Sequence, residues 1–199
     1  MNKETFSAGV EHLVSVEPNF ERFIPNQQID FFVRPSGFEG ICSLIIEQQI
    51  SVKAANSIRK RVFGLMNRVC AHDFLANDPK YFKLAGLSGP KIKYLTNIAE
   101  NILTGKLAFD KLHDMSDEEA KKYLCLQKGI GAWTADCYLM ASLGREDIWP
   151  IGDIGLQEGV RRLKDLKERP SIEDMTFLAR EWRPFRSVAA NLLWADYDV

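Results

Sequence analysis

The chain has 199 residues, enough for one helical domain or two small lobes with a sizeable core. Its 26 basic and 27 acidic residues give a formal net charge of −1, which excludes a uniformly basic nucleic-acid coat. With 46% apolar and 27% charged residues, the composition is that of a globular chain, and no stretch is apolar enough to predict a membrane span.

Four cysteines are scattered along the chain without a CxxC pair, at Cys42, Cys70, Cys125 and Cys137. This spacing predicts reduced thiols and argues against a disulfide frame, a zinc site or an iron–sulfur cluster. Residues 1–16 carry acidic side chains among their apolar positions, which is unlike a signal peptide. We therefore expect a protein of the cytoplasm, or of the nucleus in a eukaryote.

Apolar residues recur at helical spacing along most of the chain. The stripes predict helices over 6–14, 38–46, 55–66, 92–103, 117–124, 133–143, 153–163, 172–182 and 185–193. Ser116 with Glu119 and Ser171 with Asp174 have the spacing of capping boxes. Only residues 31–33 look strand-like, and they are too few to define a sheet. The sequence therefore predicts an all-α fold of nine or ten helices.

The segment Gln127–Ala135 places Gly129 and Gly131 between two predicted helices. Glycines permit a tight turn and let another molecule reach the backbone. The N-terminus of the following helix would present N–H groups to a phosphate, and Lys128 would add a positive charge. An ordinary helix–turn–helix connection explains the same residues, so this pattern alone leaves both interpretations open.

A second segment, Trp149–Leu156, places Asp153 after a loop that contains Pro150 and Gly152. Aspartate is a favoured N-cap and contributes about 1 kcal/mol in that role. The alternative is a functional carboxylate that stabilises a developing positive charge or activates water. Spacing alone does not decide between these interpretations.

A third segment, Ile46–Ser51, ends an apolar helix with two consecutive glutamines and a serine. Their polar groups would either recognise a partner or simply end one helix and cap the next. The helix that follows has a basic face, because no acidic residue occurs between Ser51 and Arg68. Such a face is either a contact for phosphates or an ordinary solvated surface.

In order and separation, these segments resemble the helix-hairpin-helix DNA glycosylases, and within them the 3-methyladenine DNA glycosylase II branch. The matching residues are Ile46–Ala55, Leu87, Ser88, Lys91, Tyr94, Leu95, Asp117–Ala120, Gly129–Ala135, Asp153–Leu156, Trp182–Ser187 and Trp194. Each motif alone is weak, but the ordered set is specific. The resemblance implies one catalytic unit, 1–199, whose two helical lobes surround a cleft: a central lobe over 38–145, and a second lobe formed by 1–37 and 146–199.

The resemblance also implies a role for individual positions. Asp153 would be the catalytic aspartate. The base pocket would be formed by Trp133, Trp194, Tyr138 and Phe32, for each of which core packing is the alternative, with Gln48 at its floor. Gln49 and Ile50 would wedge into the DNA stack. The DNA backbone would be bound by Lys128, Gly129, Gly131, Ala132, Thr134, Ser51 and Lys91.

No catalytic cofactor and no iron–sulfur cluster are implied. Main-chain carbonyls of Cys125, Gln127 and Ile130 would hold a monovalent cation that helps to bind DNA. The sequence departs from the family's pattern at two informative places. Gln127-Lys128 stands where Leu-Pro usually precedes the hairpin glycines, and Trp133 stands where bifunctional relatives carry a lysine nucleophile. Tryptophan cannot form a Schiff base, so a lyase activity is disfavoured.

The function implied is a monofunctional glycosylase, acting as a monomer, that excises alkylated purines such as 3-methyladenine and 7-methylguanine from double-stranded DNA. A glycosylase of the same fold for mismatched or oxidised bases is one alternative. A non-catalytic helix-hairpin-helix DNA-binding module is another, although it leaves the aspartate and tryptophan segments without a purpose. An unrelated helical interaction protein is compatible with the near-zero net charge.

Overall fold

The structure is a computed structural model that describes residues 1–24 and 32–197, with side chains as far as residue 195. Within these residues it contains α-helices and 3-10 helices and no strands, which confirms the predicted all-α fold. The α-helices are α1 (Lys3–Val16), α2 (Gly37–Glu47), α3 (Val52–Phe63), α4 (Ala71–Leu75), α5 (Pro79–Leu84), α6 (Gly89–Leu103), α7 (Asp117–Cys125), α8 (Ala132–Ala141), α9 (Ile154–Leu163), α10 (Ile172–Leu178) and α11 (Arg186–Tyr197). The 3-10 helices are Pro18–Phe23 and Phe109–Asp114.

The chain divides into two compact units. We call Met1–Val33 with Leu139–Val199 the split unit, and Arg34–Tyr138 the central unit. Both boundaries fall a few residues earlier than those drawn from the sequence. The second one lies inside the continuous helix α8, where the sequence offers no break to mark it.

In the split unit, α9 packs against α11 and α1 packs against α11. The first contact is close because Gly159 has no side chain: a Cβ atom there would lie 2.8 Å from the Cβ atom of Leu193. In the same unit, Phe20 and Trp149 pack on Trp182 edge to face, with ring centroids 5.1 and 5.3 Å from that of Trp182. Leu193 and Trp182 are both fully or almost fully buried, so these contacts belong to the core of the split unit.

In the central unit, α2 is buried nearly all round, as its apolar sequence predicts. Ile41, Leu44 and Ile45 have no exposed surface. Phe74 of α4 stacks on Phe82 of α5 with centroids 4.3 Å apart, and α4 in turn packs on α6. The short helices are therefore held by aromatic packing, since five or six residues are too few for a helix to be stable alone.

Local capping signals place several helix starts. The structure confirms both predicted capping boxes, Ser116 with Glu119 before α7 and Ser171 with Asp174 before α10. In each, the serine hydroxyl accepts from a main-chain N–H while the acid accepts from the serine N–H. Ser51 caps α3 by accepting from the N–H of Ala54. The interpretation of Ser51 as a helix cap is therefore confirmed.

The structure also corrects the helix predictions. Eleven α-helices occur in the described residues, because α4 and α5 are too short to show a period in the sequence. Helix α8 ends at Ala141, two residues before the predicted end, and α10 ends at Leu178 although the apolar stripe continues to Trp182. Of the strand-like residues 31–33, the first lies outside the described residues, and the other two lie in neither helix nor strand.

Within residues 1–24 and 32–197, no helix combines the length and the apolar character needed to cross a bilayer.

Replacing Gly159 with alanine is expected to destabilise the split unit. The new Cβ atom would meet the Cβ atom and main-chain oxygen of Leu193, at 2.8 and 3.4 Å, so the two helices must move apart. Overpacking of this kind costs about 1–3 kcal/mol, measurable by urea unfolding. Gly89→Ala is the matched control, since a Cβ atom there meets nothing within 4 Å. Equal stability of the two variants would contradict the close packing.

Replacing Glu158 with glutamine is expected to make folding stability less dependent on acid pH. Glu158 accepts hydrogen bonds from Arg161 and Arg169, which hold its pKa well below the usual value, at about 2. The carboxylate therefore stabilises the fold above its ordinary pKa, and that stability is lost as pH falls toward 2. Glu158→Gln should be less stable than wild type near neutral pH, and the difference should shrink as pH falls from the ordinary pKa through about 2. Glu168→Gln, an exposed site, should be nearly neutral throughout.

Candidate functional site

The residues that the sequence singles out fall on both units. The split unit contains Asp153, Trp194 and Phe32. The central unit contains the glycine turn and the segment after α2.

Asp153 is the N-cap of α9. Its Oδ1 atom accepts a hydrogen bond from the N–H of Leu156 at 2.8 Å, and its own N–H donates to the carbonyl of Pro150 at 2.9 Å. The interpretation of Asp153 as a helix cap is therefore confirmed, which leaves the functional role open. A carboxylate at a helix N-terminus also lies at the positive end of the helix dipole, which stabilises negative charge.

Trp194 makes a direct contact with this carboxylate. Its indole Nε1–H donates to Oδ1 of Asp153 at 2.9 Å. The ring of Phe32 meets the indole edge to face, with centroids 5.2 Å apart and planes at 64°. Trp194 and Phe32, predicted as walls of a base pocket, thus form a cluster with the predicted catalytic residue.

Asn191, which was not among the residues predicted from the sequence, organises this cluster. Asn191 is 4% exposed; its Oδ1 atom accepts from the N–H of Phe32, and its Nδ2 atom donates to the carbonyl of Ser187, both at 2.8 Å. The signal in the sequence was a single amide within the apolar stripe of α11. A buried amide needs partners, and so marks a position where it holds two segments together.

In the central unit, α7, residues 126–131 and α8 form the predicted helical hairpin. Gly129 is required at its position for two reasons. Its φ of +98° is in the left-handed region, and a Cβ atom there would lie 2.4 Å from Cγ of Tyr94. Gly131 differs, since it is exposed and a Cβ atom there would meet nothing within 4 Å. The backbone at Gly131 is therefore open to approach from outside.

The Gln127-Lys128 pair that departs from the family's pattern has a structural explanation. Gln127 is buried, its side-chain oxygen accepts from Asn101 Nδ2 at 2.7 Å, and its carbonyl accepts from the N–H of Ile130 at 3.0 Å. The amide therefore fixes the turn to α6. Lys128 is exposed, as a phosphate contact would need.

The segment after α2 is tied to the hairpin by Gln48. Its Nε2 atom donates to the carbonyl of Gly129 at 3.0 Å and to Oγ1 of Thr134 at 2.8 Å. Thr134 is only 2% exposed. Both side chains are thus engaged inside the central unit. The roles of Gln48 in a base pocket and of Thr134 on the DNA backbone stay predictions.

Lys91, whose role as a phosphate contact stays a prediction, makes two hydrogen bonds within the central unit. Its ammonium donates to the carbonyls of Ile46 and Gln48, at 2.8 and 2.7 Å, where α2 ends. A cation is favourable there because helix C-terminal carbonyls carry partial negative charge. Partial burial lowers the pKa of Lys91. These bonds hold the backbone that leads to Gln49, whose φ of +56° is unusual for a residue other than glycine.

Gln49 and Ile50, the predicted wedge, are both exposed. The basic face of α3 is partly used within the protein. Arg59 pairs with Glu47 at 2.7 Å, and Arg61 donates to the carbonyl of Ala85 at 2.9 Å. Two of the cations that the sequence offered as phosphate contacts therefore have partners in the central unit.

The remaining aromatic candidates lie on α8. Tyr138 is fully buried, its hydroxyl accepts from the N–H of Gly37 at 2.7 Å, and its ring packs against Phe109. Burial raises the pKa of Tyr138. The structure therefore shows Tyr138 in a packing role, the alternative that the sequence left open, and its pocket role stays a prediction. Trp133, by contrast, is half-buried in the first turn of α8, next to the exposed Ala132.

The predicted cation ligands lie where the hairpin turns. Cys125 is the last residue of α7, and the last carbonyls of a helix have no donor within it. The carbonyl of Gln127 accepts one hydrogen bond and keeps a second lone pair, and Ile130 follows in the same turn. Carbonyl oxygens are hard donors, so these residues fit a hard monovalent cation, whose binding stays a prediction.

Comparisons with known proteins agree with this architecture. The Bacillus subtilis protein YfjP is 36% identical over 108 residues, which are 54% of this chain and 38% of YfjP. The DNA-3-methyladenine glycosylase 1 of Schizosaccharomyces pombe is 29% identical over 94% of this chain and 87% of its own length. A solved structure of the S. pombe 3-methyladenine DNA glycosylase Mag1, in complex with abasic DNA, superposes with a TM-score of 0.85 at 28% identity, covering 96% of this chain and 97% of that one.

A sequence model of one protein family matches a long continuous part of the chain. Residues 42–184, well over half of the chain, match the model described as HhH-GPD superfamily base excision DNA repair protein. That range includes the hairpin, Gln48 and Asp153. The chain therefore belongs to the HhH-GPD superfamily of base excision DNA repair proteins.

Proposed function

We propose that this chain is a monofunctional DNA glycosylase that excises alkylated purines, of the 3-methyladenine and 7-methylguanine type, from duplex DNA. The observation that carries the proposal is the Asp153 carboxylate, which two N–H donors hold at the start of α9 in a member of a base excision repair family. The activity named for the S. pombe relative supports the alkylated purine as substrate.

The chemistry suits a carboxylate. Alkylation at N3 or N7 gives the purine a positive charge, so the base leaves with the electron pair of the C1′–N9 bond without first being protonated. The sugar becomes an oxocarbenium-like cation, which the negative charge of Asp153 stabilises. A water oxygen then bonds to C1′, its proton passes to Asp153 or to solvent, and the products are the free base and an abasic site.

The base must leave the duplex before it reacts. Flipping a nucleotide costs a few kcal/mol, and least for a damaged or mispaired base. The exposed Gln49 and Ile50 are the residues that we expect to fill the vacated space. Trp133 would stack on the flipped base, because an aromatic face attracts a cationic, electron-poor ring.

The hairpin would bind the DNA backbone. The first N–H groups of a helix have no carbonyl partner within it and carry partial positive charge, so the start of α8 is suited to a phosphate. The exposed Gly131 lets the phosphate approach closely, and the exposed Lys128 adds attraction. A monovalent cation on the hairpin carbonyls would add positive charge at the same place. We expect the protein to act as a monomer. It would act at the nucleoid in the cytoplasm of a bacterium, or in the nucleus of a eukaryote.

Replacing Asp153 with asparagine is expected to abolish excision while preserving DNA binding. Asparagine keeps an oxygen that can accept from Leu156 and Trp194, so the cap survives and only the charge is lost. Loss of such electrostatic stabilisation lowers the rate by about 100-fold or more. Single-turnover release of 3-methyladenine measures the effect, and affinity for abasic DNA is the control. Excision at a near wild-type rate would refute the catalytic assignment.

The same assay separates the proposed function from its alternatives. Methylated DNA, DNA with oxidised guanine and DNA with a thymine or uracil mismatch are offered in parallel, with borohydride present to trap a Schiff base. Release of alkylpurine without trapping supports the proposal. Release only from another duplex indicates a different glycosylase, and DNA binding without any release indicates a binding module.

Two glycine variants test the hairpin as the phosphate site. Gly131→Ala should keep wild-type stability, since the new methyl group meets nothing within the protein, but it should weaken binding to abasic DNA about tenfold, or 1.4 kcal/mol. Gly129→Ala should lose both stability and binding, because the methyl group collides with Tyr94. Fluorescence anisotropy and thermal unfolding measure the two effects. Unchanged DNA affinity in Gly131→Ala would exclude the proposed phosphate approach.

A further inference from the structure

The hydrogen bond between Trp194 and Asp153 joins residues 41 positions apart in the chain. The indole N–H and the N–H of Leu156 both donate to Oδ1 of Asp153, at 2.9 and 2.8 Å. Two donors that approach one oxygen from different helices fix the rotation of the carboxylate group about its bond to Cβ. The Leu156 donor is part of the helix cap, whereas Trp194 comes from α11 and is not needed to begin α9.

The indole is itself held in place. Asn191 lies one helical turn before Trp194 on α11 and binds the main-chain N–H of Phe32 through its side-chain oxygen. This contact brings the Phe32 ring against the indole, edge to face, at 5.2 Å. Helices α9 and α11 approach each other closely at Gly159 and Leu193, and Leu193 is the residue directly before Trp194. Trp194 is therefore constrained from its own helix and from the segment at Phe32.

We propose that Trp194 is a positioning residue that acts through Asp153: its N–H holds the carboxylate in the orientation that faces the sugar, and Asn191 and Phe32 brace the indole. This proposal rests on the proposed function, in which Asp153 stabilises the oxocarbenium-like sugar. It changes the role that the sequence predicted for Trp194, from a wall that stacks on the flipped base to a donor that orients the catalytic carboxylate.

The two roles predict opposite results for two substitutions. Phenylalanine keeps an aromatic face but has no N–H, whereas leucine has neither. If Trp194 orients Asp153, Trp194→Phe and Trp194→Leu lower kcat alike, by about 10- to 100-fold, since misplacing a reacting group by about 1 Å costs about 100-fold. KM for alkylated DNA and affinity for abasic DNA stay near wild type. If Trp194 stacks on the base, Trp194→Phe keeps wild-type kcat and only Trp194→Leu is impaired.

Trp182→Phe is the matched control for general softening of the split unit. Trp182 is 1% exposed and packs on Phe20 and Trp149. The Trp182→Phe variant should lower the melting temperature at least as much as Trp194→Phe does. Its kcat should stay within about threefold of wild type, because a lost packing contact acts on stability and not on the reaction. An equal loss of kcat in Trp182→Phe would overturn the proposal, since the effect would then be structural.

A second variant tests the brace without touching the indole. Phe32→Leu keeps the main-chain N–H that Asn191 binds and removes only the ring edge. We expect kcat to fall by about 3- to 10-fold with KM unchanged. This loss is smaller than in Trp194→Phe because the indole N–H donor remains. A change in KM alone would mean that Phe32 contacts the base. Asp153→Asn, measured in parallel, distinguishes a failure of the proposed function from a failure of the role proposed for Trp194. Full activity in Asp153→Asn defeats the proposed function, whereas its inactivity beside a fully active Trp194→Phe defeats only the role of Trp194.

Discussion

A negative charge held in a defined orientation is the constraint on which the proposed reaction depends. A carboxylate in free rotation would spread its charge over many directions, and its hydration would have to reorganise as the sugar becomes cationic. Here Asp153 begins a helix and accepts from two N–H groups, so most of that reorganisation is completed during folding. The packing of Gly159 on Leu193 belongs to the same arrangement, because it keeps α9 close to the helix that carries the indole donor.

In the proposed function, the main chain of the hairpin would meet the DNA phosphates, with Lys128 adding positive charge. Gly129 shapes the turn, Tyr94 packs on it, and the amide of Gln127 fastens the turn to α6. Phosphate contacts fix the register of a protein on DNA but carry no sequence information. A repair enzyme gains from this, because damage occurs in every sequence. Its selectivity must then come from the chemistry of the base.

The sequence predicts those features that depend on neighbouring residues. Helical stripes, the capping boxes at Ser116 and Ser171, the glycine turn and the aspartate cap are all visible within a few residues of each other. Helices α4 and α5 are missed because they complete fewer than two turns. The bonds from Trp194 to Asp153 and from Lys91 to Ile46 join residues more than 40 positions apart, and only tertiary packing brings such partners together.

The way in which Asp153 is held bears on which bases can be released. Two N–H donors orient the carboxylate, and its negative charge suits a cationic sugar. A neutral base leaves efficiently only if it is protonated as the bond breaks, whereas a purine alkylated at N3 or N7 already carries the charge that protonation would supply. A site built around a carboxylate anion therefore favours bases that are good leaving groups before they are bound. Selectivity for alkylated purines then follows from the leaving group itself, and an aromatic surface that attracts cations reinforces it.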